Sequence, residues 1–145
     1  MADRYLIVDG HSTIFGWPEL RAQHDRNTAI AREELIRLLT AYQDCSDVSV
    51  VLVFDGKGSK VSQQSDPGGI QIFYSRANQT ADAIIERLVA KYGARYQMTI
   101  ATSDRAIQQT AISFEGGFMT VEELRMVLDD AAKTFAKALK KRNKA

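Results

Sequence analysis

Tyr5-Leu6-Ile7-Val8-Asp9-Gly10 sets the pattern of this chain: an apolar run that stops on an aspartate. The pattern recurs three times. Val50-Val51-Leu52-Val53-Phe54 stops on Asp55, and Ile70-Gln71-Ile72-Phe73-Tyr74 leads into Thr80-Ala81-Asp82. Met98-Thr99-Ile100-Ala101 leads into Thr102-Ser103-Asp104. Such runs, alternating with segments of helical period, are the pattern of a parallel α/β sheet. With right-handed crossovers the expected strand order is 3-2-1-4-5. The connection then reverses direction between strands one and four, so Asp9 and Asp104 flank the switch point.

Working outward, helices are expected over about 28–44, 80–92 and 104–112. Ala31, Leu35, Leu38, Leu39 and Tyr42 form the inner face of the first. Ala81, Ile84, Ile85, Leu88 and Tyr92 do so in the second, with Gly93 as its stop. Phe118-Met119 reads as a short last strand. Thr120-Val121-Glu122-Glu123 has capping-box spacing and opens a long final helix. Val121, Leu124, Leu128, Ala131, Phe135 and Leu139 are expected on its buried side. Gly10 to Arg26 and Gly56 to Gly69 fit no regular element, and a loop as long as the second is usually functional or mobile.

Composition narrows the classes. The 145 residues, 45% hydrophobic, suit one domain with a proper core. A formal charge of +1 argues against a polyanion-binding field over the whole surface, so a nucleic-acid contact needs a local patch. Cys45 has no partner for an internal disulfide, and with two His a structural zinc site is implausible. The first strand begins almost at Met1, and no apolar run approaches the ~20 residues of a membrane span. A cytoplasmic protein with no membrane partner is expected.

Carboxylates gathered at the carboxyl edge of a sheet repel one another unless a cation sits among them. Asp82 enters that rim from a helix start, and Glu86 lies one turn deeper on the same helix face. The set suits Mg²⁺ or Mn²⁺, which take oxygen ligands and keep several waters. Plainer roles exist for each residue. An aspartate in a first helical turn complements the helix dipole, and Asp9-Gly10 or Asp55-Gly56 could be turn residues. Glu86 could pair with a neighbouring Lys or Arg. His11 could bind metal or substrate, or hydrogen-bond within its turn. Trp17 could stack on a base or cap the core edge. Lys57 and Lys60 sit in a Gly-Lys-Gly-Ser-Lys run without phosphate-loop spacing, which reads as a flexible basic loop able to touch a nucleic-acid backbone.

Several of these residues together resemble a known family. Leu6-Ile7-Val8-Asp9-Gly10-His11-Ser12, then Trp17-Pro18-Glu19-Leu20, resembles the opening of the YacP-like NYN domains, a branch of the PIN-like nucleases. The resemblance continues through Ala31-Arg32-Glu33-Glu34-Leu35-Ile36, Val53-Phe54-Asp55-Gly56, Thr80 to Glu86, and Ala101-Thr102-Ser103-Asp104-Arg105. It implies a Rossmann-like PIN/NYN fold, three layers αβα around a central mostly parallel sheet, forming one domain over residues 1–145. It also implies a metal-dependent endoribonuclease that leaves a 5′-phosphate, in some members on ribosome-associated messenger RNA. Asp9, Asp82 and Asp104 become the catalytic metal ligands, with Asp55 and Glu86 as outer candidates. His11, Ser12, Ser103 and Arg105 are candidate RNA contacts beside them; Lys57 and Lys60 join this set from the basic loop itself, which carries no family motif. PIN-like domains often pair, so a homodimer is compatible with the resemblance. One departure stands out: the family reads Asp-Gly-Tyr-Asn where this chain reads Asp9-Gly10-His11-Ser12. It keeps open a second reading, a non-catalytic RNA- or ribosome-binding module. A metal-dependent phosphatase or phosphoacceptor domain is a more distant third.

Overall fold

The structure, a computed structural model, describes residues 4–56, 62–65, 69–77 and 79–144. Its centre is β1 (Arg4–Asp9), flanked by β2 (Val48–Phe54) and β5 (Gln97–Ala101), both parallel to it. Beyond β2 lies β4 (Gln71–Tyr74), and beyond β5 lies β6 (Gly117–Met119), again parallel. These are the five expected strands, in the expected order 3-2-1-4-5.

A sixth strand was not foreseen. Ser62–Ser65 forms β3, paired antiparallel along the outer edge of β4, so the full order is β3-β4-β2-β1-β5-β6. Its sequence, Ser-Gln-Gln-Ser, has no apolar alternation to mark it. Gly10 to Arg26 also turns out to be regular, as two short helices, α1 (Gly10–Gly16) and α2 (Pro18–Arg26). The break between them is Trp17-Pro18: the proline ring biases Trp17 to extended backbone and then serves as the first residue of α2. Trp17 caps the core edge, as the plainer reading had it. It is buried, and its indole Nε1–H donates to the Val121 carbonyl at 2.7 Å.

The remaining helices are α3 (Thr28–Asp44), α4 (Ala81–Tyr92), α5 (Arg105–Ser113) and α6 (Val121–Lys144). Strand periodicity divides the core between the sheet's two faces. Leu6, Val8, Leu52 and Phe54 join Leu35, Leu39 and Leu124 of α3 and α6. Ile7, Val53 and Ile100 join Ile84, Ile85 and Ile107 of α4 and α5. The capping box at α6 forms: Glu123 N–H donates to Thr120 Oγ1, and Thr120 N–H to Glu123 Oε1.

The buried stripe expected along α6 stops early. Val121 and Leu124 are buried and Leu128 packs on the core, but Phe135 and Leu139 are 51% and 45% exposed. An amphipathic period continues past the point where the body ends, and sequence alone does not mark that point. Cys45 is half-buried at the carboxyl end of α3, in keeping with a small packed residue. Among the described residues, no helix is long and apolar enough to cross a membrane.

Candidate functional site

Parallel registration carries the strand ends to one rim. Asp9 on β1 is level with Val53 on β2, and Val8 is level with Ala101 on β5. The chain therefore leaves β1, β2 and β5 side by side, with Asp9, Asp55 and Thr102-Ser103-Asp104 at the exits. Two glycines permit close packing here. A Cβ on Gly10 would strike the Phe54 ring, and one on Gly56 would strike the Ser75 carbonyl oxygen.

Asp9 is buried in a cradle of donors. It caps α1, where Oδ1 accepts from Ser12 N–H at 3.3 Å. Its Oδ2 accepts from Ser12 Oγ at 2.7 Å and from Thr102 Oγ1 at 2.9 Å. The hydroxyls continue outward: Ser103 Oγ donates to Ser12 Oγ at 2.9 Å, and Asp104 N–H donates to Thr102 Oγ1 at 3.1 Å. One hydroxyl network thus fixes the ends of β1 and β5 to each other. Thr102, fully buried, holds both Asp9 and the Asp104 backbone, and sequence reading passed over it. The only hint was a small hydroxyl residue directly after an apolar strand.

Asp104 caps α5, its Oδ1 accepting from Ala106 N–H at 2.8 Å and Ile107 N–H at 3.2 Å. Asp82 sits in the first turn of α4, half-buried, behind the capping Thr80. Its carboxyl is pushed up from 3.8 to about 6, first by burial, then by a hydrogen bond with the Asp104 carboxyl, and then by repulsion from Asp104, Asp9 and Asp55. Three of the four aspartates therefore act on the fourth, as the rim arrangement predicts.

The other candidates are dispersed. Asp55 is exposed, and its Oδ1 accepts from Ala81 N–H at 2.8 Å, so it ties β2 to the first turn of α4. Asp55 is thus more than a simple turn residue. Ser75 reinforces the same junction: its Oγ donates to the Gln79 carbonyl and accepts from Gly56 N–H. Arg32 Nη2 donates to the Asp55 carbonyl, with its guanidinium 4.8 Å from the Phe54 ring centroid. Glu86 is exposed one turn beyond Asp82. Arg105 is exposed beside Asp104, and Ser103 is exposed at the mouth of the hydroxyl network. Lys57 and Lys60 lie outside the described residues.

His11 stands among aromatic side chains. It is exposed on α1 and packs on Phe15, ring centroids 4.5 Å apart. Phe15 meets His24 at 4.8 Å and lies under the Arg21 guanidinium at 5.8 Å. An exposed aromatic and cationic patch therefore borders the acidic rim. Phe15 and Arg21 carried no motif and went unremarked in the sequence.

Among the described residues, no group of three acidic, histidine or cysteine side chains converges on one point at ligand distance. Asp82 and Asp104 interact through their carboxyls, and Asp9 is turned into its hydroxyl cradle. The donor set is entirely carboxylate oxygen, which matches a hard divalent cation, and Mg²⁺ commonly takes only one or two carboxylates and keeps its waters. Asp9, Asp82 and Asp104 are the residues that would hold it.

Comparison with known proteins bears on the fold and the family. The structure is similar to a crystal structure of Rae1 (YacP) from Bacillus subtilis, with TM-score 0.76 and 28% identity, covering 97% of this chain and 82% of the other. A mutant form of that protein superposes with TM-score 0.79 at 25% identity, covering 97% and 84%. The uncharacterized protein YacP of Bacillus subtilis is 33% identical over 115 residues, which are 77% of this chain and 66% of the relative. That stretch falls just short of two thirds of the relative's length. Residues 6–145 match the YacP-like NYN domain. The chain belongs to the YacP-like NYN domain family, a branch of the PIN-like nucleases.

Proposed function

We propose that the chain is a divalent-metal-dependent endoribonuclease that hydrolyses RNA phosphodiesters at the rim formed by Asp9, Asp82 and Asp104. One observation carries this reading: on the sheet edge where α/β folds place their sites, the Asp82 carboxyl is pushed up to about 6 by burial and then by the Asp104, Asp9 and Asp55 carboxylates around it. Such mutual repulsion is what a cation relieves. A bound Mg²⁺ or Mn²⁺ supplies a water of lowered pKa and neutralises charge growing on a phosphoryl oxygen.

The chain's own residues supply the positioning. Asp82 and Asp104 present paired carboxylates from two helix starts, and Thr102 and Ser12 hold Asp9 in register with them. In hydrolysis, water oxygen adds to phosphorus and the bond to the 3′ oxygen breaks. That oxygen takes up a proton, leaving a 5′-phosphate on the downstream fragment. Arg105 is placed for a phosphate beside Asp104. The His11–Phe15 platform offers a face on which an unstacked base can lie. Ribosome-associated messenger RNA is the proposed target class, by likeness to the family.

The non-catalytic alternative was motivated by Ser12 standing where the family has Asn. Its hydroxyl and its backbone N–H both reach Asp9, so Ser12 itself holds the carboxylate. The test is cleavage of a single-stranded RNA by purified protein with Mn²⁺, with Mg²⁺ and with chelator. Products with 5′-phosphate ends that require the metal support the proposal. RNA that is bound but left intact under all three conditions favours the binding module.

A further inference from the structure

The helical layer formed by α4 and α5 is too narrow for the sheet beneath it. Six strands about 4.8 Å apart span about 24 Å, whereas two helices about 10 Å wide cover roughly 20 Å. The uncovered strip lies beside α4, where Phe73 and Gln71 of β4 are only half-buried. It forms an open groove of about 430 Å³. Its floor is apolar, with Ile7, Val51 and Met98 buried beneath it.

The walls are aromatic. Tyr5 and Tyr96 meet edge to face with ring centroids 5.1 Å apart, Tyr92 lies 6.1 Å from Tyr96, and Phe73 lines the β4 side. The rim is cationic. Arg87 and Lys91 line it from exposed positions on α4, and Lys91 Nζ stands 5.3 Å from the Tyr92 ring centroid. Arg95 adds a further charge over Tyr96, at 5.9 Å. None of the described residues lining the groove is acidic. This place is separate from the acidic rim: α4 starts at the rim and runs away from it, so Lys91 lies about 13 Å along the helix axis from Asp82.

We propose that this groove binds a nucleotide, with the base among Tyr5, Phe73, Tyr92 and Tyr96 and the phosphate on Arg87 and Lys91. Aromatic walls stack on any base, because every base has a π-face. The apolar floor offers no side-chain hydrogen-bond partner, so the polar edge of the base stays towards the open mouth and binding is tolerant of base identity. Paired cations at the mouth suit a phosphate and disfavour a basic or neutral ligand. The volume lies within the usual range of small-ligand sites, roughly 300–1,000 Å³. The nucleotide can be free or one unit of an RNA strand, and the chemistry of recognition is the same. The inference goes beyond cleavage and does not depend on it.

The test is amide chemical-shift mapping of the full chain, with chelator present so that no strand is cut. Adenosine 5′-monophosphate and a hexaadenylate are titrated separately. Shifts at Tyr5, Phe73, Tyr92 and Tyr96 are expected, with affinity lowered about tenfold in Arg87→Glu/Lys91→Glu. Should the reversal variant lose its fold, Arg87→Gln/Lys91→Gln replaces it, with a smaller expected loss. Shifts with the monophosphate assign a site able to take a free nucleotide, and shifts with the hexamer alone assign a strand subsite. The proposal is overturned if neither probe moves these amides, or if folded charge variants bind as tightly as wild type. An RNA that is never cleaved leaves the groove untouched, and an empty groove leaves the acidic rim untouched, so the two readings fail separately.

Discussion

Asp55 Oδ1 accepts a hydrogen bond from the Ala81 backbone N–H at 2.8 Å, joining the end of β2 to the first turn of α4. Asp82 is the next residue along that turn. The bond satisfies a helix-start donor that would otherwise need water or a local cap, and it sets where Asp82 stands. Asp55→Ala should lower stability by about 1 kcal/mol, as loss of a cap does, while Asp55→Asn, which keeps an acceptor, should lose less. Urea denaturation of the two variants checks this. An unchanged midpoint for Asp55→Ala would show that the bond holds nothing.

The raised Asp82 carboxyl has a pH signature. Folding lifts it from 3.8 to about 6, so within that window the folded chain binds more proton than the unfolded chain. Stability then falls as pH rises through the window. The penalty is absent below it and complete above it. Thermal melts of wild type and Asp82→Asn, both in chelator, isolate the effect: wild type should lose ground to the variant as pH climbs from about 4 to about 6. Adding Mn²⁺ above pH 6 should restore the wild type and leave the variant little changed. Parallel profiles for the two proteins would remove the repulsion argument.

Thr102 is expected to matter beyond its size. Thr102→Val keeps the volume but leaves Asp9 Oδ2 one donor short and the Asp104 N–H without its acceptor. A loss of about 1–3 kcal/mol follows from stranding buried polar groups, and RNA cleavage should drop with it. Thr102→Ser, which keeps the hydroxyl, should recover most of both. If Val and Ser behave alike in denaturation and cleavage, the hydroxyl is not what fixes the rim.

The outer half of α6 should be energetically quiet. Phe135→Ser and Leu139→Ser remove side chains about half exposed, so each should change stability by less than about 0.5 kcal/mol. Leu124→Ala, at a fully buried position of the same helix, should cost about 2–5 kcal/mol. Chemical denaturation of the three variants compares the two ends directly. A large loss at Phe135 would restore the longer buried stripe.

What the sequence made legible followed from burial. Short, valine-rich apolar runs such as Val50–Phe54 read as strands of a covered sheet, so order and rim position followed from topology. The elements missed had no such signal. Helix α1 is a single short element of 7 residues, too brief for a hydrophobic period to show. Strand β3 is polar and owes its place to the free edge of β4. Phe135 and Leu139 continue a true amphipathic period past the end of the body. Asp9, Asp82 and Asp104 were legible because carboxylates at strand ends are conspicuous, whereas Thr102 was hidden because a buried hydroxyl looks like any small residue. Asp55 could be assigned only from its partner, an N–H 26 residues away.

The central claim is that Asp82 and its neighbours form the cutting site for RNA. It is tested most directly by the initial rate of single-stranded RNA cleavage by Asp82→Asn beside wild type in Mn²⁺, with melting curves showing that both are folded. The account predicts metal-dependent cleavage by wild type and a loss of at least about a hundredfold in the variant. A folded Asp82→Asn that cleaves as fast as wild type would contradict it.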